Sequence, residues 1–178
     1  MSKHNKFENF LLSFGAARLL LQKAHNNGSL IEGLILYASL VDGFCRICLV
    51  LREQVDTNSA DIDERYIHQG DKKNFSEREI YRLAYRKKII TKKIFEEMND
   101  LYDIRNRIVH RFFLSEVKYS CLEEVCGRYE LLYNQLWQTT HDLETLQIKK
   151  GVGMTAEGNM TKEEERAIFR SIMKGKIS

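Results

Sequence analysis

Between Phe95 and Phe113 the chain reads Phe-Glu-Glu-Met-Asn-Asp-Leu-Tyr-Asp-Ile-Arg-Asn-Arg-Ile-Val-His-Arg-Phe-Phe, and two of its side chains suit chemistry on a phosphate. The guanidinium of Arg105 presents a planar fork to two oxygens and stays charged. His110 supplies an imidazole, a group that exchanges protons near neutral pH. Asn106 directly follows the arginine and lies one helical turn before the histidine, so its amide can fix the ring or bind a phosphate oxygen. The stretch has no Gly or Pro and its apolar residues recur at three- and four-residue spacings, which predicts one helix.

At about 100° per residue, Met98, Leu101, Ile108 and Phe112 share one arc of that helix, with Arg105 in its middle. Asn99, Asp103, Asn106 and His110 form a narrow stripe on the opposite side. On a straight helix, Arg105 and His110 therefore point about 140° apart, with about 7.5 Å of rise between them. Two copies packed about a two-fold axis would bring an Arg and a His into one cleft, and a bend in the helix would also shorten the gap. Arg107 and Arg111 flank the same region; they could contact phosphates or pair within the helix with Asp103 and Asp100.

The segment Arg105-Asn-Arg-Ile-Val-His110 resembles the signature of the HEPN superfamily, in which an Arg, a polar residue and a later His sit near the end of a long helix. The resemblance implies an all-α bundle and metal-independent cleavage of RNA, with Arg105, Asn106 and His110 forming each half of a site shared by a homodimer. It implies products ending in a 2′,3′-cyclic phosphate and a 5′-hydroxyl. Toxin or defence roles, and control by an antitoxin or other protein partner, also follow from it. In members where the motif continues as His-x-Tyr, the Tyr is adenylylated. Here that position is Phe112, which has no phenol to accept a nucleotide.

The net charge of +3 over 178 residues is too small to argue for nucleic acid, but the charge is local. Residues 80–95 hold Arg82, Arg86, Lys87, Lys88, Lys92 and Lys93 with no acid among them. That run could track an RNA backbone, with Tyr81 and Tyr85 stacking on bases; equally it reads as a solvated face with core tyrosines. Proline is absent altogether, in keeping with an all-helical chain. Cys45 and Cys48 sit in an apolar helical pattern, so buried reduced thiols are expected ahead of a zinc site with Cys121 and Cys126. No cofactor or metal is expected. Without a signal sequence or an uncharged apolar run of 18 residues, the expected setting is soluble and cytoplasmic, with no membrane contact.

Taken in order, residues 5–26 predict a first helix stopping at Asn26-Asn27-Gly28, and Ser29 with Glu32 predicts a capping box opening a second, central helix to about Glu53. Inside that helix, Asp42 has two readings. It could pair with Arg46 one turn on, or support the site by balancing Arg105. Residues 54–74 read as a loop with room for a short helical turn, and contain His68. Ser76 with Glu79 caps a helix through Lys88, Thr91 opens the motif helix, and a turn is expected at Leu114-Ser115. Ser120 with Glu123 caps a last long helix packing through Leu122, Val125, Tyr129, Leu132, Leu136 and Leu143, with Trp137 as a core or interface anchor.

Glycines at 151, 153 and 158 suggest a flexible linker, and Thr161 with Glu164 caps a short helix bearing Ile168, Phe169, Ile172 and Met173. The expectation is thus an all-α, HEPN-like bundle of four to five helices over residues 1–148, with residues 149–178 as linker and tethered C-terminal helix. Its rivals in function are a non-catalytic module that binds a protein partner, and a binder of nucleotides or other phosphate ligands that does not cleave them.

Overall fold

The apolar residues from Leu30 to Val55 dictate the architecture, because a helix that is apolar nearly all round needs neighbours on several sides. The computed structural model describes residues 3–67, 75–111 and 119–153. These form six α-helices: α1 (Lys3–Asn26), α2 (Leu30–Thr57), α3 (Glu64–Ile67), α4 (Glu77–Arg86), α5 (Lys92–Arg111) and α6 (Tyr119–Lys150). No strand occurs among the described residues. The expected four to five helices are exceeded by α3, a single turn within the predicted loop.

Helix α2 is the buried centre: Leu34, Leu40, Val41, Cys45, Cys48 and Leu49 are all closed to solvent. Each fully buried leucine there contributes about 1.5–3 kcal/mol. By length and composition α2 could cross a membrane, and most of its apolar surface is covered by the bundle instead. It outlasts the expected end at Glu53. Gln54 and Val55 are buried, and the helix stops where Asn58 turns left-handed and donates its N–H to the Gln54 carbonyl.

Helices α2 and α6 run parallel along their whole length. Cys126 lies at the Leu30 carbonyl, Cys48 meets Thr140 at 3.2 Å, and Gln147 bonds Gln54. Every expected α6 packing residue, from Leu122 to Leu143, is buried. Helix α1 folds back on α2, and Gly43 allows the approach: a Cβ there would sit 2.7 Å from the Phe14 ring. Helices α4 and α5 form an antiparallel pair against this spine, joined at one end by Tyr85 stacked on Phe95 and at the other by ion pairs from Glu77 and Arg78.

Local expectations fared unevenly. Ser76 and Glu79 make the full capping box, and Thr91 Oγ accepts the Ile94 amide at 3.3 Å as α5 opens. Ser29 is the N-cap of α2 but makes no side-chain cap bond, because its φ and ψ do not bring the hydroxyl to the N3 amide. Ser120 is already inside α6, so it is not the cap there. Trp137 is 47% exposed and stacks on His141, which rules out a core role.

Residues 151–153 do not behave as a loose linker. Val152 is buried, Lys150 donates to the Val55 carbonyl, and Gly153, at φ +81°, fits against Gln147 where a side chain would collide. The expectations for His68, Phe112, Phe113, the Leu114-Ser115 turn, the rest of the linker and the Thr161 helix lie outside the described residues.

Candidate functional site

Met98, Leu101 and Ile108 are buried as the helical projection requires, so α5 is rotationally fixed and Arg105 must point towards the bundle. It meets there a partner that the sequence reading did not supply. Arg105 Nη2 donates to Glu77 Oε2 at 2.9 Å, with both side chains 18% exposed. The guanidinium carbon lies 4.7 Å from the Tyr102 ring centroid, and Nε donates to Asn106 Oδ1 at 3.2 Å. Among the described residues, Nη1 alone of the three guanidinium nitrogens has no hydrogen-bond partner.

Glu77 is itself held. Its Oε1 accepts from the Tyr81 hydroxyl one turn along α4. Tyr81 is buried, which removes it from any base-stacking role, and burial together with the Glu77 charge pushes its phenol well above the ordinary value. For Arg105, burial works against the charge, but the Glu77 carboxylate outweighs it and the guanidinium is held above its ordinary value. The cation is therefore fixed in charge as well as in position.

Asp42 takes the first of its two readings. Its Oδ2 accepts from Arg46 Nε at 2.6 Å, and Arg46 also reaches the Tyr66 carbonyl at 2.7 Å and the Phe75 carbonyl at 3.4 Å. Asp42 therefore does not pair with Arg105, because Arg46 on its own helix reaches it first. Its support for the site is limited to the electrostatic influence of Arg105 and Glu77 on its carboxyl. Burial is the largest influence and raises that carboxyl above its ordinary value despite Arg46. The other oxygen, Oδ1, is buried without a hydrogen-bond partner among the described residues.

His110 and Val109 are exposed on the outer side of α5. No hydrogen bond, ion pair or ring contact joins His110 to Arg105 or Asn106 among the described residues. The single chain thus gathers Arg105 and Asn106 and leaves His110 facing outwards, as the five-residue spacing requires. Arg107 is exposed on the same helix, and the side chain of Arg111 lies outside the described residues. The in-helix pairs considered for Asp103 and Asp100 give way to pairs between helices. Asp103 bonds Arg78 on α4, and Asp100 bonds Arg128 on α6 at 2.6 Å.

Arg78 also lies over Tyr102, with its guanidinium carbon 4.6 Å from the ring centroid. Two arginines from neighbouring helices therefore share one aromatic ring. Arg82, Arg86 and Lys88 are exposed and Lys87 reaches Glu53 at 3.7 Å. Arg86, Lys87 and Lys88 sit at the far end of α4, about 15 Å along the axis from Glu77. Among the described residues no group of three or more His, Cys, Asp or Glu side chains is placed to hold a metal ion. Cys45, Cys48 and Cys126 are buried free thiols and Cys121 is exposed.

Glu77, Arg78 and Tyr102 are the site residues that the sequence reading missed. Glu77 directly follows an N-cap serine, where an acid already has a sufficient local reason in the helix dipole. Nothing near it in the chain points to a partner 28 residues away. Comparison of the chain with protein families, with curated proteins and with solved structures finds no match in any of the three.

Proposed function

We propose that the protein is a HEPN-like endoribonuclease that needs no metal, with Arg105, Asn106 and His110 from each of two protomers forming a shared site. The observation that carries this reading is the state of Arg105. An arginine on the core side of a helix is held by Glu77, Asn106 and Tyr102, and among the described residues its Nη1 has no hydrogen-bond partner. His110, exposed beside the exposed Val109, is available to a cleft formed with a second copy.

In this reading the RNA 2′-hydroxyl attacks the adjacent phosphorus, the bond to the 5′-oxygen breaks, and a 2′,3′-cyclic phosphate and a 5′-hydroxyl result. One imidazole takes the 2′ proton and another protonates the leaving oxygen. Arg105 offsets the charge that builds on the non-bridging oxygens, and Asn106 keeps the guanidinium oriented. Toxin or defence activity restrained by a protein partner is the biological setting that goes with this chemistry. The exposed Arg107 and the basic run of Arg82, Arg86, Lys87 and Lys88 are the candidates for gripping the strand on either side.

One observation favours a non-catalytic binding module instead: the Arg105–Glu77 pair is complete within one protomer and sits mostly inside the bundle. The two readings separate in one assay. Cleavage of RNA in excess EDTA that disappears in both Arg105→Ala and His110→Ala, with helix content retained, supports the enzyme; an RNA panel left intact by folded wild-type protein supports the module.

A further inference from the structure

Among the described residues Glu77 is the one carboxylate that touches Arg105, and its own geometry says which role that contact has. A carboxylate competing with substrate for an arginine would need freedom to leave. Glu77 has little. Its second oxygen is tied to the Tyr81 hydroxyl, and Tyr81 is fully packed in the core. The backbone that carries it is pinned by the Ser76–Glu79 capping box at the start of α4.

The contact also falls on a particular edge of the guanidinium. Asn106 takes Nε and Glu77 takes Nη2, which together form the side-on edge of the fork. Tyr102 lies against the guanidinium as well. Among the described residues, what remains is Nη1 and the second hydrogen of Nη2, at the end of the side chain. From this arrangement we infer that Glu77 is the positioning residue of the site, a fixed strut on α4 that sets the direction in which Arg105 offers Nη1 to the phosphate.

This inference rests on the cleavage reading and goes beyond it by assigning a role to a residue outside the Arg-to-His segment, on a different helix. Tyr81 acts behind Glu77 in the same line, from core to carboxylate to guanidinium. The chain of contacts explains why an arginine on the core face of α5 can still serve an external ligand. Without the strut, the charge would lose its fixed direction while α5 kept its packing through Met98, Leu101 and Ile108.

The test is a double-mutant cycle with Glu77→Ala, Arg105→Ala and the double variant, read as single-turnover cleavage of a fixed RNA in EDTA, well below each melting temperature. Glu77→Gln is added because its amide oxygen can still accept from Arg105. The expected result is a loss of about 100-fold in rate for Glu77→Ala, the scale of a misaligned reacting group. The double variant should be no slower than Arg105→Ala, and Glu77→Gln should recover part of the rate. A merely structural Glu77 would lower the melting temperature and leave the rate of the folded protein unchanged, which would overturn the inference. Losses that multiply in the double variant would also overturn it. An inert, folded wild type would instead remove the cleavage reading on which the inference stands, whereas full-rate Glu77→Ala beside a dead His110→Ala removes the inference alone.

Discussion

Arg46 and Arg105 are both arginines on helix faces turned to the core, and the bundle treats them in opposite ways. Arg46 spends every nitrogen: Nε on Asp42, Nη1 on the Tyr66 carbonyl and Nη2 on the Phe75 carbonyl. Two of those acceptors are the carbonyls of Tyr66 and Phe75, so Arg46 ties those two residues to the central helix. Arg105 has, among the described residues, one carboxylate, one amide oxygen and one aromatic ring as partners, with Nη1 left over. Arg46 therefore acts as a fastener, and the proposed function gives Arg105 the other part, a rigidly held guanidinium that meets a ligand.

The comparison breaks most readily at Arg46. Arg46→Ala leaves Asp42 buried without its cation and removes the bonds to two backbone carbonyls, so thermal or urea unfolding should show a loss of about 3–5 kcal/mol. Arg105→Ala should cost less, about 1.5–3 kcal/mol in the same measurement, because one charge-assisted bond is lost and Glu77 keeps its bond from Tyr81. Its larger effect should be on catalysis, a fall of about 10²–10³-fold in cleavage rate, the usual cost of removing one group that offsets transition-state charge. Equal stability losses at the two positions would erase the distinction.

Lysine substitution sharpens it. A lysine at either position keeps the charge and loses the planar fork. Arg46→Lys should melt at a lower temperature, since one ammonium cannot reach three acceptors set around a guanidinium. Arg105→Lys should stay close to wild-type stability and cleave poorly, read by the same two assays.

The smallest expected effect is at the cap that seats Glu77. Ser76→Ala should cost about 1 kcal/mol in unfolding experiments. Its partner Glu79 adds a pH signature. The Ser76 amide, then its hydroxyl, hold the Glu79 carboxyl below its ordinary value. This stabilisation is therefore present above the unfolded-state carboxylate pKa and is lost as pH falls through the lower folded one. The gap between the stability curves of wild type and Ser76→Ala should narrow, without closing, towards the acid end of that window, because the variant keeps the backbone amide bond and lacks the hydroxyl that caps the Glu79 amide at any pH.

How much of this could be read from the chain depends on the range of the forces concerned. The helix of α5 and its buried Met98, Leu101 and Ile108 follow from periodicity, which is local, and so does the outward direction of His110. The Ser76 cap is local in the same sense. Glu77 was not legible, because its link to Arg105 depends on how α4 and α5 pack. The reach of α2 past Glu53 was hidden for a similar reason. Gln54 looks like a helix end and is instead buried by a bond from Gln147, on a helix that begins more than sixty residues later. Asp42 was legible only as two alternatives, and the nearer arginine took it.

The central claim is that Arg105, Asn106 and His110 cut RNA. The most direct measurement incubates purified protein with RNA in excess EDTA, compares wild type with His110→Ala, and maps the product ends. His110 is exposed, so its loss should leave the melting temperature unchanged while lowering the rate by about 10²–10⁴-fold. The account predicts 2′,3′-cyclic phosphate and 5′-hydroxyl ends made by wild type and not by the variant. Folded, dimeric wild-type protein that leaves a broad panel of RNAs intact, or equal cleavage by both proteins, would contradict it.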